Sequence, residues 1–304
     1  MKAAVLHEIG RPLSVEDVPD PDVSEGLSLV TVRAAGINFA DALVQSGNYP
    51  QPPELPTILG NEVAGELDGR RVLAFARQTG GGYAERVAVD DEWVFELPDG
   101  ASYSEGAAFL TTYLTAWIPL TRQTRLRPES RVLVTAAAGG VGTAAIQVAT
   151  FAGARVTAAA GSQEKLELAR LLGAERTVSY DEIRELDDID VAFDPVGGPV
   201  FASCLRSLRP LGVAIAIGFA GGAWEPVDPA RLVGRNLGIQ GFYLGRLMNL
   251  QPELVREGTL ELLTLWRRGA FRPVIGAEFP LEQANEALEL IASRRSTGKV
   301  VLVV

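Results

Sequence analysis

Arg131-Val132-Leu133-Val134-Thr135-Ala136-Ala137-Ala138-Gly139-Gly140-Val141-Gly142 is the stretch that decides the fold. Its Val- and Leu-rich start reads as a short buried strand, and Val141–Phe151 reads as a helix. A Gly-rich turn lies between them. Against the pattern Gly-x-Gly-x-x-Gly, Ala137 takes the first glycine position, Gly139 the second and Gly142 the third. The second glycine lets the main chain approach a pyrophosphate, and the third lets helix and strand pack closely. The first helical turn offers N–H groups and the positive end of its dipole to phosphate. Gly139, Gly140, Val141 and Gly142 are therefore candidate nucleotide-binding residues. A Gly turn with no ligand is the bland alternative. A second strand, Arg155–Ala159, follows at the distance a βαβ unit requires and favours the nucleotide.

The tip of that second strand selects the dinucleotide. NAD sites usually place an Asp or Glu about 20 residues on, to bind the ribose 2′-hydroxyl. Here Ala158-Ala159-Ala160-Gly161-Ser162-Gln163-Glu164-Lys165 has no carboxylate at the strand tip. Gly161, Ser162 and Lys165 can surround a 2′-phosphate, which predicts NADPH as cofactor. Glu164 is discordant unless it faces solvent. Lys165 alone also reads as an exposed helix lysine.

Working towards the carboxyl terminus, a helix is expected over Gln163–Leu172. Short apolar strands follow at Arg176–Val178, Asp190–Phe193, Val213–Ile217 and Gly238–Gln240. Strands alternating with helices predict an α/β fold, with a doubly wound parallel sheet. Beyond Gly241, Pro252–Arg268 is helical, with Leu254, Leu260, Leu263 and Trp266 available for an apolar face. Leu281–Arg294 is a second helix and Lys299–Val304 a terminal strand-like run. Towards the amino terminus, Ser104–Ala108 and Phe109–Leu120 look like a capped, largely buried helix.

Residues 1–100 read differently. Strand-like segments at Lys2–Leu6, Leu29–Ala34, Glu62–Glu66, Arg71–Ala76, Tyr83–Val89 and Val94–Glu96 are separated by Gly, Pro and Asp. Pro50, Pro52, Pro53 and Pro56 make a stiff surface loop. Three segments result: 1–107, 108–243 and 244–304. The last is small for a domain and is expected to pack back on the first.

Composition narrows the chemistry. The 304 residues are 47% hydrophobic and carry a formal net charge of −10, which weighs against a nucleic-acid partner. One cysteine, Cys204, and one histidine, His7, allow no intramolecular disulfide. They supply neither the ligands of a structural zinc nor those of a catalytic one, so no metal is expected. Cys204 reads as a small buried residue in the helix-like Val200–Leu208, and His7 as a surface or turn residue. No apolar run is long enough to span a membrane, so a cytoplasmic protein is expected.

With these motifs in order, the chain resembles the zinc-independent quinone oxidoreductase family (the zeta-crystallin-like branch) of the medium-chain dehydrogenase/reductase superfamily. The resemblance rests on Ala35-Gly36-Ile37-Asn38-Phe39-Ala40-Asp41, Gly47-Asn48-Tyr49-Pro50 and Leu59-Gly60-Asn61-Glu62-Val63-Ala64-Gly65. It continues through Ala136–Gly142, Asp194-Pro195-Val196-Gly197-Gly198 and Ser296-Thr297-Gly298-Lys299-Val300-Val301. Asn61 stands where zinc-dependent relatives typically carry a histidine. The resemblance implies a GroES-like β-barrel domain interrupted by a Rossmann domain, and a homodimer formed through the sheet edge near Leu237–Gln240.

The resemblance also implies site residues. Asn38 would lie near the nicotinamide and the substrate, Thr115 on the nicotinamide side, and Tyr49 at the active-site mouth. Gly161, Lys165 and Tyr180 match the pocket for the 2′-phosphate and adenosine. Gly218-Phe219 and Phe242-Tyr243-Leu244 match loops flanking the nicotinamide, and Arg295 the far end of the cofactor site. Leu43 stands where some quinone reductases carry a further tyrosine. Each residue also has a structural alternative. Asn38 suits a cap or turn, and Tyr49 and Tyr180 suit half-buried aromatics with one wet end.

The expected reaction is hydride transfer from NADPH to a quinone in an apolar cleft between domains. Asn38 and Tyr49 are candidate donors to the developing oxyanion, and Tyr49 or water would give the proton. An enone, alkenal or enoyl-thioester reductase is the alternative enzyme. A non-catalytic NADPH-binding sensor is the alternative from another class.

Overall fold

The computed structural model describes residues 1–76, 81–124 and 126–304. The chain forms two compact units, Met1–Thr111 with Arg272–Val304, and Thr112–Phe271.

The unit Thr112–Phe271 is built on a six-stranded parallel sheet. In spatial order its strands are Arg176–Val178, Arg155–Ala159, Arg131–Val134, Ile189–Asp194, Leu208–Ala216 and Gly238–Gly241. Ranked along the chain, that is the order 3-2-1-4-5-6 of a doubly wound nucleotide-binding sheet. The order reverses at Arg131–Val134, so the loop after this strand opens at the switch point, where such sheets bind ligands. Val132, Leu133 and Val134 are fully buried, as expected of a central strand covered on both faces. Helices Gly140–Phe151, Gln163–Leu171, Gly198–Ser207 and Pro229–Arg235 lie in four of the crossovers.

Helix Pro252–Arg267 also belongs to this unit. It buries Val255, Thr259, Leu262, Leu263 and Trp266, whereas Leu260 is about half exposed. The apolar stripe therefore runs through Val255 and Leu262, not through Leu260 as expected. Gly258 of this helix lies beside Leu114, Trp117 and Ile118, and Phe271 lies near Tyr113, with ring centroids 5.5 Å apart. These contacts explain a difference from the sequence reading. The chain returns to the first unit at Arg272, not at residue 244, and the first boundary falls at Thr111.

The other unit is mainly antiparallel. One sheet runs Ile275–Pro280, Lys299–Val303, Leu27–Ile37, Glu62–Leu67, Arg70–Phe75 and Val94–Glu96, with Arg86–Asp90 also paired to Leu27–Ile37. A second sheet joins Ser14–Asp17, Lys2–Leu6 and Thr57–Ile58. Leu27–Ile37 is eleven residues long and has three partners, so its neighbours fix its register. Its core includes Leu6, Val30, Ile37, Val63, Tyr83 and Val300. The expected Tyr83–Val89 segment becomes a strand only from Arg86, running to Asp90; Ala84 makes a single bridge to Ala3. The expected long helix after Ser102 is broken. Ser102 and Glu105 form a reciprocal cap on Tyr103–Ala107, and a second helix covers Leu110–Trp117.

Candidate functional site

The Gly-rich loop leaves its strand through a left-handed residue. That residue is Ala136, at φ 44°, one position before the motif's first glycine position. Ala137 can therefore replace glycine: it is buried and donates its N–H to the Ala159 carbonyl at 3.1 Å. Gly139 caps the helix Gly140–Phe151, and the Thr143 N–H returns to the Gly139 carbonyl at 2.8 Å. Gly142 has no alternative, because a Cβ there would overlap the Ala136 carbonyl. The turn is thus pressed against the helix, and the N–H groups of Gly140, Val141 and Gly142 form its first turn. An anion suits such a helix end. Gly139, Gly140 and Val141 are half-buried, so the loop is not sealed by its own fold.

Sequence reasoning missed the group that anchors this loop. Asp194, at the end of Ile189–Asp194, is fully buried. It accepts from the Thr135 hydroxyl, from Val196 N at 3.1 Å and from Gly197 N at 2.8 Å. Burial pushes its carboxyl above the usual carboxylate value, against the opposing pull of these three bonds. Thr135 directly precedes the loop, so Asp194 joins the ends of two neighbouring strands. The signal was an aspartate ending an apolar strand before Pro-x-Gly-Gly.

The second phosphate candidate lies at the next strand tip. Ser162 caps helix Gln163–Leu171, its hydroxyl accepting from Lys165 N at 3.4 Å. An ideal Cβ on Gly161 would meet the Tyr180 ring at 3.7 Å, so Gly161 and Tyr180 face one another. Burial lowers the Lys165 ammonium below its ordinary value, and Glu164 raises it in part. Glu164 is exposed. A partly desolvated lysine beside a helix N-terminus and an aromatic face suits a phosphate-bearing ribose.

The remaining candidates in this unit follow the last two strands. Gly218 and Phe219 lie after Leu208–Ala216, with Phe219 against Trp224 at 5.4 Å between centroids. Phe242 is buried and donates its N–H to the Ala216 carbonyl at 3.1 Å; Tyr243 is exposed and caps Leu244–Leu250, whose first residue is buried. Thr115 is buried on helix Leu110–Trp117.

The first unit carries Asn38, Tyr49 and Arg295. Asn38 is the N-cap of helix Phe39–Ser46, as its structural reading expected, and Asp41 accepts its N–H at 2.7 Å. Its amide is engaged elsewhere. Lys299 Nζ donates to Asn38 Oδ1 at 2.6 Å, and Asn38 Nδ2 donates to Glu62 Oε1 at 3.2 Å. Glu62 also receives Lys299 Nζ at 2.6 Å and, through Oε2, Thr111 N at 2.9 Å. Tyr83 OH donates to Asp41 at 2.8 Å, and burial raises the Asp41 carboxyl to about 6. This buried network was not expected from sequence.

Tyr49 lies just past the other end of the same helix, its N–H on the Leu43 carbonyl at 3.1 Å. Eight helical residues span about 12 Å. Asn38 and Tyr49 thus lie at either end of one short helix, with Leu43 between them. Arg295 is exposed, with Nε 3.0 Å from Ser293 Oγ. His7 is exposed beside Glu16 at 3.0 Å, and Cys204 is fully buried.

Comparison with known proteins agrees with this architecture. Residues 24–99 match the alcohol dehydrogenase GroES-like domain, and residues 140–263 match the zinc-binding dehydrogenase family. Quinone oxidoreductase-like protein 2 homolog of Nematostella vectensis is 35% identical, across 99% of this chain and 88% of its own. The quinone oxidoreductase of Thermus thermophilus, whose structure was also solved with NADPH, superposes with a TM-score of 0.92 at 40% identity, covering both chains fully. Escherichia coli quinone oxidoreductase complexed with NADPH gives 0.91 at 27% identity, again over both full chains. The two-unit fold, the switch-point loop and these relatives together make the chain a member of the zinc-independent quinone oxidoreductase family of the medium-chain dehydrogenase/reductase superfamily.

Proposed function

We propose that the protein is an NADPH-dependent oxidoreductase that reduces a quinone without a metal. The observation that carries this reading is the grouping of Gly161, Ser162, Lys165 and Tyr180 at the strand tip beside the Gly139–Gly142 loop. The residues fit the cofactor: one helix end for the pyrophosphate, and a partly desolvated cation for the 2′-phosphate. When bound, the reduced nicotinamide supplies the hydride.

The chain's own residues orient and discriminate. Gly140, Val141 and Gly142 offer backbone N–H groups to phosphate, and Gly139, whose own N–H goes to the Ala136 carbonyl at 2.9 Å, lets the main chain approach it. Lys165 and Ser162 read the 2′-phosphate while Tyr180 covers the adenosine. Thr115, Gly218, Phe219, Phe242, Tyr243 and Leu244 bound the nicotinamide, and Arg295 serves the cofactor's far end. Asn38 donates a hydrogen bond to the acceptor's oxygen as negative charge develops there. Tyr49 or water gives the proton in this reading. The quinone assignment draws support from the names of the relatives, and the same reading carries a cytoplasmic homodimer.

Steady-state oxidation of NADPH, followed at its nicotinamide absorbance, tests the proposal. Turnover with 1,4-benzoquinone exceeding turnover with 2-cyclohexenone and crotonyl-CoA is the expected result. Turnover on the enone or thioester alone would reassign the acceptor. Tight NADPH binding with no turnover on any of the three would make the chain a sensor.

A further inference from the structure

The ammonium of Lys299 is 4% exposed and the carboxylate of Glu62 is 1% exposed. Burying such a pair is costly, and apolar residues of similar volume often serve stability as well. Its place in the fold is more informative. In the register that pairs Val300 with Ile37, Lys299 stands opposite Asn38. Glu62 comes in from the other side of the same strand, one step beyond the Ala35–Val63 pair. Gly36 makes room for it, because a Cβ there would overlap the Ala107 carbonyl and press on Glu62 Cγ at 2.9 Å. Thr111 N then fixes the second carboxylate oxygen.

An ammonium only donates, an ionised carboxylate only accepts, and an amide does both at different ends. Asn38 is held at Oδ1 by Lys299 and at Nδ2 by Glu62. Flipping the amide would set its NH2 against the ammonium and its oxygen against the carboxylate. Both contacts would be repulsive, in a place with little water to relieve them. Of the two Nδ2 hydrogens, the described residues take one. Asn38 is only half-buried, so the other remains available.

We infer that Lys299 is a positioning residue: with Glu62 it locks the Asn38 amide so that the site presents an N–H donor, and never a carbonyl acceptor, to its substrate. The substrate class follows. A quinone or enone carbonyl oxygen, which only accepts and gains charge as hydride arrives, matches a fixed donor; a donor-only group such as an ammonium does not. This rests on the reading of Asn38 as a site residue given above.

A double-mutant cycle with NADPH and 1,4-benzoquinone tests the inference on the full-length protein. Lys299→Met is expected to lower kcat about tenfold or more. The NADPH Kd, read by cofactor fluorescence, is expected to stay within about threefold, because the phosphate contacts that dominate affinity lie elsewhere. Asn38→Ala is expected to match the kcat loss, and Lys299→Met in the Asn38→Ala background to cost nothing more. Additive losses would overturn the inference while leaving Asn38 in the site. A silent Asn38→Ala would overturn the reading of Asn38 itself. If Lys299→Met does not fold, Asn38→Asp decides. It keeps an oxygen for Lys299 but has no N–H, so a loss like that of Asn38→Ala is expected, and wild-type kcat would overturn the inference.

Discussion

The hydroxyl of Thr135 donates to the carboxylate of Asp194, and both residues are fully buried. The bond ties the entrance of the Gly-rich loop to the end of the neighbouring strand and favours the ionised form of Asp194. Thr135→Val keeps the shape and removes the donor. Its expected cost is about 1.5–3 kcal/mol in urea unfolding, the range for a hydrogen bond to a charged group. The loss is expected to shrink towards acid pH, where Asp194 is protonated. NADPH affinity is expected to fall with it, because the loop loses its anchor.

Gly142 and Ala136 form a second pair with opposite expectations. Gly142→Ala forces a methyl into the Ala136 carbonyl and is expected to cost about 1–3 kcal/mol or more. Ala136→Gly removes a left-handed alanine, worth about 1–2 kcal/mol, against about 0.5–1 kcal/mol of added chain entropy. A change between zero and about 1.5 kcal/mol in the stabilising direction is expected. Equal destabilisation of both variants in urea would contradict the close-approach argument.

Lys165→Ala separates the two dinucleotides. Losing a charge-assisted contact with the 2′-phosphate is expected to weaken NADPH about ten- to a hundredfold and NADH less than about threefold. Burial lowers the Lys165 pKa. The preference of the wild type for NADPH is therefore expected to fade at a lower alkaline pH than an exposed lysine would allow. Titrating both cofactors by fluorescence checks both statements, and equal losses would reject the role.

Asp41 carries a pH signature. Its folded pKa is about 6, raised from 3.8 by burial, so the folded state holds a proton that the unfolded chain releases between those values. Stability from this group is full below about 4 and is lost as pH rises through 6. Asp41→Asn removes the titration. The stability difference between wild type and Asp41→Asn is expected to shift by about 1 kcal/mol against the wild type between pH 5 and pH 7.5. A pH-independent difference in urea melts would sink the assignment.

Among the described residues, Gly238–Gly241 ends the parallel sheet and pairs on one side only, with Leu208–Ala216. Leu211 and Val233 nearby in sequence are strongly exposed. Gel filtration is expected to give twice the 32.4 kDa chain mass, and a monomer at micromolar concentration would remove the homodimer from the proposal.

The Rossmann half was legible because its signals are local. Each strand is a run of three to nine residues, and the Gly loop, the missing acid at the strand tip and Lys165 lie within two consecutive βαβ units. Boundaries needing tertiary contacts were not legible. Nothing near residue 244 announces that Pro252–Arg267 packs against Leu114 and Trp117. Helix Phe39–Ser46 is short, and strand Ile275–Pro280 alternates half-buried with exposed residues and buries none fully, so neither stands out as an apolar run. The Asn38–Glu62–Lys299 network joins residues up to 261 apart, beyond any local pattern. Its one cue was a charge set in each of two apolar runs, Glu62 before Val63-Ala64-Gly65 and Lys299 before Val300-Val301-Leu302.

The return of the chain to its first unit at Arg272 has a consequence for biosynthesis. During translation, Glu62 leaves the ribosome 237 residues before its counter-ion. The Thr112–Phe271 sheet is entirely local to its own segment and can fold while the tail is still being made. Leu27–Ile37 meanwhile lacks its neighbour Lys299–Val303, leaving one flank open to wrong partners. The nascent chain thus carries an unneutralised carboxylate in a half-built sheet. The same carboxylate makes premature closure of that sheet unfavourable until Lys299 emerges.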